Sequence, residues 1–437
     1  MGLKVFKFGG ASVKDAAGMR NVTSIVKSSL QQGTPLVCVV SATGKTTNAL
    51  ESVLKAAYEN ADPNTSLDAV IANHRAMAVE LVGKNHPVHN TLLDIREKIR
   101  TLLLSASQLS YDAVYDSVVS EGERMATALL SAYWDSENLH HVLIDARRLI
   151  RTNLCWREGE VDWPATQAAV IKTWESVQNN HAAGLLLTQG FIGGGPQGES
   201  VTLGREGSDY SAALLGAALK AESVTIWKDV AGVFNADPKL FPDAVLFTRL
   251  SYDEALELAC YGATVIHPKT LFPLKKAGIP LLVKSFENPA SQGTRIDDKP
   301  TLALVPGLIS KSNQVLWTLR PHNGHFIQTT HLNEIFQIAA KHRLKINALQ
   351  HTALEVSLCL ECDAIHLRDA QKEMESSFQL ETRESVSLIT IINYSPALEE
   401  AIIGTRKPLL EQRSLRIARF VVEDTPAHHP FDSGQPS

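Results

Sequence analysis

The feature that most constrains this chain is an alternation. From residue 4 to about residue 290, short apolar runs rich in β-branched residues alternate with stretches whose apolar residues recur at helical spacing. The runs Lys4–Phe8, Leu36–Val40, Val142–Ile144, Leu185–Gln189, Val224–Trp227 and Leu281–Lys284 read as strands. Between them lie "MRNVTSIVKSSLQQ", "GERMATALLSAYW", "DYSAALLGAALKA" and "SYDEALELACYGA", which read as helices. A parallel strand pair needs a long crossover, and a helix is the usual one. The alternation therefore predicts an α/β domain with a mainly parallel sheet between helical layers. It is interrupted at about 62–106, where Leu67–Val82 and Val88–Leu104 follow each other with no strand between them. This reads as a helical hairpin inserted into the α/β core.

A second pattern follows the polar stretch "ENPASQGTRIDDKPTLALVP", where Gly and Pro mark a domain boundary near residue 298. Strand (Val315–Leu319), helix (Leu332–Lys341), strand (Lys345–Leu349), strand (Leu354–Leu360), helix (Arg368–Phe378) and strand (Val386–Asn393) spell a β-α-β-β-α-β unit. Ser395–Glu423 reads as a shortened second copy. The expected division is 1–298, 299–424 and a Pro/Gly/Ser-rich tail, 425–437, expected to be disordered.

Composition removes several classes of function. The net charge of -5, without long basic runs, argues against a nucleic-acid surface. No apolar stretch approaches a membrane span, and the chain enters a strand with no signal pattern, so the expected location is cytoplasmic. Five cysteines are too few and scattered for a disulfide framework. Cys359 and Cys362 form a lone CxxC, read as reduced thiols on a strand rather than a zinc or redox site. No metal site within the protein is expected.

Chemistry concentrates in a few short stretches. In "KVFKFGGASV", Lys7 sits in an apolar strand that runs into Gly9 and Gly10. In open α/β sheets ligands gather at the carboxyl ends of strands. Glycines there let backbone N–H groups approach phosphate oxygens, and a lysine just before adds a full charge. A tight strand–helix turn beside a surface lysine fits the same residues. "VVSATGKTTN" contains Gly44-Lys45-Thr46, but Val39 stands where GxxxxGK[ST] needs its first glycine, so the Walker reading fails. What remains is a hydroxyl-rich turn. In "SVVSEGERMA", Glu121, Glu123 and Arg124 taken alone read as solvated charges. In "TLGREGSDYSAALL", Arg205 has the planar fork that grips a carboxylate, at the start of an apolar helix whose N–H groups favour an anion. A loop with an N-cap at Ser208 or Asp209 is the plainer alternative. "TIWKDVAGVFNADPKLFPDA" is a strand and a long loop suited to a nucleotide, though its aspartates fit turns equally well.

Taken together, these pieces resemble the aspartate kinases of the amino-acid kinase family. KFGGTSV of that family is matched by Lys7–Val13, SxGE by Ser120–Glu123, GRGGSD by Gly204–Asp209, and D-V-x-G…D-P by Asp229–Gly232 with Asp237-Pro238. "YGATVIHPKT" resembles FGAKVLHP, and the C-terminal unit resembles the ferredoxin-like ACT regulatory region. The resemblance runs to about residue 420 and implies a three-layer αβα kinase domain followed by an α+β ACT region. It implies transfer of the γ-phosphoryl of ATP, with Mg²⁺ held mainly through the phosphates, to the β-carboxylate of L-aspartate. It makes Lys7 and Asp209 the catalytic pair. It assigns Lys7, Phe8, Gly9, Gly10, Ser12, Lys228, Asp229, Phe234, Lys239, Thr264 and Val265 to ATP, and Thr47, Glu123, Arg205, Glu206, Gly207 and Ser208 to the substrate. A homodimer or higher homo-oligomer and an amino-acid effector in the ACT region are further expectations.

This chain departs from the pattern in places. Ala11 replaces a threonine, Glu206 replaces a glycine, and Thr264 replaces a lysine that reaches ATP, leaving Lys269 as a second candidate. Asn347 stands where relatives offer an acidic residue to the effector's ammonium, so weak or absent lysine inhibition is expected, and Asn347→Asp is expected to strengthen it. The alternatives to aspartate kinase are a related kinase with another acyl acceptor, and a weakly active ACT-based sensor.

Overall fold

The computed structural model describes residues 2–424 except 60, 106–108, 181–183, 239–240, 242, 263–265, 300–305, 323 and 362–363. The expected tail and Cys362 lie outside these residues. Two compact units divide the chain, and the second takes in Phe234–Val245 and residues 260–262 as well as the chain from 306 on.

The first unit is built on one sheet. Its strands in chain order are β1 (Lys4–Phe8), β2 (Leu36–Val40), β3 (Val142–Ile144), β4 (Leu185–Gln189), β7 (Ser223–Lys228), β8 (Arg249–Ser251), β9 (Leu281–Ser285) and β10 (Thr294–Asp297). They lie in the order β3-β4-β2-β1-β7-β9-β10-β8, parallel except where β10 pairs antiparallel with β9. A glycine-rich hairpin, β5 (Ile192–Gly194) and β6 (Ser200–Thr202), stands apart. The helices are α1 (Ala16–Gln31), α2 (Thr46–Tyr58), α3 (Asn64–Val82), α4 (Val88–Leu104), α5 (Tyr111–Val119), α6 (Glu121–Ser136), α7 (Trp163–Asn180), α8 (Gly207–Ala218), α9 (Tyr252–Tyr261) and α10 (Pro268–Ala277).

The three layers follow from side-chain alternation. Along β1, Phe6 and Phe8 point into a core shared with α1 through α6, whereas Val5 and Lys7 point to the opposite face, against α8. Helix α8 is buried at every position except Tyr210, in keeping with its Ala- and Leu-rich body. Gly216 admits the contact with β7: a Cβ there would lie 2.4 Å from Val224 Cγ2. β1 pairs with β2 and β7 in register, Phe8 opposite both Val40 and Trp227, so three strands end level and their loops meet above them.

The second unit carries β11 (Gly307–Pro321), α11 (Thr329–Lys341), β12 (Lys345–His351), β13 (Val356–Glu361), α12 (Ala364–Glu375), β14 (Phe378–Ile392), α13 (Pro396–Ile403), β15 (Leu410–Arg413) and β16 (Ile417–Glu423). Its antiparallel sheet runs β12-β13-β11-β14-β16-β15. The sequence pattern shows only the cores of the two long strands: β11 begins eight residues before Val315, and Phe378 opens β14 instead of closing a helix. Each long strand serves two lobes. One half of the pair packs on α11 and α12 around Trp317 and Leu358; the other packs on α13 around Ile391 and Phe420. In the second lobe Gly307–Lys311, which precede it in the chain, fill the place beside β14 that a last strand of its own would occupy. A register shift between Lys311 and Leu316 separates the halves.

Candidate active site

The site is assembled where β1, β2 and β7 end. Lys7 is 5% exposed, carried by β1 onto the face that α8 covers. The chain then turns through a 3₁₀ segment, Gly10–Val13. At Gly10 a Cβ would lie 2.8 Å from the Gly44 carbonyl and 2.9 Å from that of Ala42, so only glycine lets the two loops close on each other. Ser12 is buried against the Trp227 carbonyl. The Phe8 ring is fully buried and stacked on Trp227, which leaves only its backbone to a ligand.

Asp209 sits in the first turn of α8, at 0% exposure. One carboxylate oxygen meets Lys7 Nζ at 2.6 Å and the other meets Lys228 Nζ at 3.2 Å. Lys228 also reaches Glu206 at 3.6 Å. Burial alone would raise the Asp209 pKa; the two ammonium groups outweigh it and hold the carboxyl below its ordinary value. Burial would likewise lower Lys228, and Asp209 with Glu206 raise it instead. Both shifts favour the charged forms of Asp209 and Lys228, and Asp209 holds the Lys7 and Lys228 side chains side by side at the strand ends. Glu206 adopts left-handed backbone at φ 55°, in a loop where Gly204 is also at positive φ, 77°. Arg205, between them, is exposed, and Ser208 is buried against Gly190.

On the neighbouring side α6 begins at Glu121. Gly122 brings it against the loop after β2, since a Cβ would stand 3.0 Å from Ala42 Cβ. Glu123 is 3% exposed and accepts the Ala42 N–H through Oε1 at 3.2 Å, while Oε2 is buried without a hydrogen-bond partner. Burial pushes its pKa up to about 8, against the pull of that N–H and of Lys7. An orphaned carboxylate oxygen of this kind suits a cation brought by a ligand. Thr47 lies half-buried in the first turn of α2, beside Thr46, whose hydroxyl meets Thr43 at 2.8 Å.

The solvated reading of "SEGERM" does not hold. Glu121 is fully buried and paired with Lys98 Nζ at 2.6 Å and Arg124 Nη1 at 2.7 Å. Lys98 comes from α4, and His74 from α3 meets Thr43 Oγ1 at 2.9 Å. Helices α3 and α4 thus brace the site, a role that nothing in their sequence marks. Asp116 is a similar case: its buried carboxylate accepts from the N–H and hydroxyl of Thr202 and from the Arg157 N–H, fixing the strand that leads to Gly204. A lone aspartate in an amphipathic helix gives no such signal.

Lys7, Asp209, Lys228 and Glu206 are thus brought together, with Gly9, Gly10, Ser12 and Gly207 in the adjoining turns. Asp229 follows Lys228 and is exposed. Phe234 belongs to the second unit. Lys239, Thr264 and Val265 fall outside the described residues. Lys269 lies against Gly204, its Nζ 3.6 Å from where a Cβ would be.

A match to the amino acid kinase family spans residues 2–285. Lysine-sensitive aspartokinase 3 of Escherichia coli is 31% identical over 401 residues, covering 89% of this chain and 86% of that protein. The chloroplastic bifunctional aspartokinase/homoserine dehydrogenase 2 of Arabidopsis thaliana is 31% identical over 304 residues; the match covers 68% of this chain and 32% of that longer protein. The crystal structure of E. coli aspartokinase III in complex with aspartate and ADP (R-state) superimposes with a TM-score of 0.82 at 28% identity, covering 96% of both chains.

Proposed function

The chain belongs to the amino acid kinase family, in its aspartokinase branch, and from that premise we propose how its site transfers a phosphoryl group to aspartate. The chain is an ATP-dependent aspartate kinase. The β-carboxylate oxygen of L-aspartate attacks the γ-phosphorus; a P–O bond forms, the bond to the β-phosphate oxygen breaks, and ADP and 4-phospho-L-aspartate result. The acceptor is already ionised at neutral pH, so no general base is required. The difficulty is bringing two anions together, and catalysis is positioning and charge neutralisation.

The Lys7–Asp209–Lys228 cluster carries this reading. Lys7 faces the transferring group, Lys228 the phosphates behind it, and Asp209 keeps both ammoniums in place. Gly9 and Gly10 admit phosphate oxygens, with Ser12 and Asp229 beside them. Phe234, Lys239, Thr264 and Val265 are assigned to the nucleotide on the sequence motifs. Glu123 takes the substrate ammonium on its unpartnered oxygen, Arg205 takes the α-carboxylate, and Thr47, Glu206, Gly207 and Ser208 complete the pocket. Mg²⁺ is assigned to the ATP phosphates, where it would neutralise charge.

We divide the chain into a kinase domain (1–298), an ACT-type regulatory region (299–424) that binds an amino-acid effector, and a tail. A homodimer is expected to form through the second sheet, whose edge strands are β12 and β15. Among the described residues no helix is long and apolar enough to cross a membrane, and the use of ATP fits the cytoplasmic location expected from sequence. The test of the function is ATP- and Mg²⁺-dependent acyl phosphate formation, trapped with hydroxylamine, across L-aspartate, L-glutamate and carbamate. Aspartate alone should give product; preference for another acceptor, or no product, would overturn the assignment.

A further inference from the structure

Outside the site just described, the first unit contains a cavity of about 710 Å³ on the outer side of α8, between the start of α7 and α10. Its size is that of a small-molecule pocket. Tyr210 and Leu214 of α8 line it, with Trp163 on the α7 side and Phe272 and Ile279 on the α10 side. Phe272 is 60% exposed, a large apolar ring left facing solvent at the rim. Three lysines, Lys220, Lys269 and Lys276, also line the cavity, and among the described residues no carboxylate does. Among the described residues none of the three lysines pairs with an acidic group.

Helix dipoles explain part of this. Lys276 lies in the last turn of α10 and Lys220 just beyond the C-cap of α8, where positive charge is favoured. Lys269 does not fit that account, since it lies in the first turn of α10, where a cation is disfavoured. An aromatic and aliphatic floor ringed by three unpaired cations is complementary to an apolar ring that carries a negative charge. The ring would stack on Trp163 and Phe272, and the charge would replace the carboxylate that the wall lacks.

We propose that this groove binds a small aromatic anion, at a site separate from the Lys7–Asp209–Lys228 cluster. The probe is 8-anilinonaphthalene-1-sulfonate, titrated into the full-length protein by fluorescence and calorimetry beside the uncharged N-phenyl-1-naphthylamine. One saturable site is expected for the sulfonate, with affinity at least about tenfold weaker for the uncharged analogue. Lys220→Glu/Lys276→Glu should weaken the sulfonate by a similar factor, and Phe272→Asp should do so through the rim. None of these residues has been placed in the catalytic machinery, so retained kinase activity and an unchanged melting temperature show that a variant is folded. Equal binding of charged and uncharged probes, or unaltered sulfonate affinity in the charge-reversed variant, would overturn the proposal. Trp163→Phe supplies an independent check, because bound probe should lose energy transfer from the nearest indole; unchanged transfer would place the probe elsewhere.

Discussion

At the scale of single residues, the site is a set of buried charges whose partners decide what they do. Among the described residues Lys7 pairs with one carboxylate, Asp209, at the end of β1, where its charge can act on a transition state. Lys7→Met should keep the fold and lose about 10²–10³ in kcat, as the loss of one preorganised electrostatic donor does; turnover near the wild-type value would exclude Lys7 from the phosphoryl contact. Glu123 carries the sharpest pH prediction. With its pKa raised to about 8, it is protonated at neutral pH in the free protein. An unfolded glutamate loses its proton near 4.5, so the folded state holds the extra proton between these values. Stability therefore falls as pH rises from about 4.5 through about 8 and levels beyond. Binding of a substrate ammonium favours the ionised form, so below pH 8 the KM for aspartate should climb by up to about tenfold per pH unit as pH falls. Glu123→Gln should weaken aspartate binding and flatten that profile; initial-rate kinetics from pH 6 to 9 read both.

At the scale of elements, the loops after β1 and β2 and the turn into α8 are held by backbone constraints. Gly10→Ala would place a Cβ 2.8 Å from one carbonyl and 2.9 Å from another, both backbone atoms that cannot swing aside. A loss of about 1–3 kcal/mol is expected, typical of overpacking, and chemical denaturation measures it. The reverse holds at Glu206, where a side chain occupies left-handed backbone at φ 55°. Glu206→Gly should stabilise by up to about 1 kcal/mol, offset in part by the freer unfolded chain. It also removes a carboxylate from Lys228, leaving that ammonium more available to phosphates, so the KM for ATP should fall. A lower melting temperature together with a raised KM would contradict both arguments.

At the scale of the whole molecule, regulation is the open chemistry. The resemblance to the aspartate kinases implies an acidic residue where Asn347 stands, and from sequence alone Asn347→Asp is expected to strengthen lysine inhibition. The second unit alters that expectation. Lys311 Nζ already donates to Asn347 Oδ1 at 3.0 Å, and Asn347 Nδ2 donates to Gln314 at 2.7 Å and Glu361 at 3.2 Å. An aspartate at 347 would pair with Lys311 inside the protein instead of with a free ammonium. Wild type and Asn347→Asp should therefore both respond weakly to L-lysine. Asn347→Asp combined with Lys311→Met should lower the half-inhibitory concentration by about tenfold or more. Titration of kinase activity with lysine, threonine and methionine checks this, and tight, cooperative inhibition of the wild type would mean that other residues receive the ammonium.

The sequence by itself determined the class of the first unit, because strand–helix alternation admits few solutions, and it marked Lys7, the two glycines and the GREGSD turn, where special backbone and isolated charge stand out locally. The short strands β8 and β10 were not legible, because most of their residues are polar where the equally short β3 is an apolar run, and neither was the sharing of β11 and β14 between two lobes, which depends on pairing across the chain. Only the tertiary structure decided which charges are buried and whom they meet. Glu121 reads as solvated until Lys98 arrives from α4, and Glu123 acquires its raised pKa only when the folded chain excludes water from its carboxyl. Periodicity and turn chemistry are properties of neighbours in sequence; desolvation and ion pairing are properties of neighbours in space.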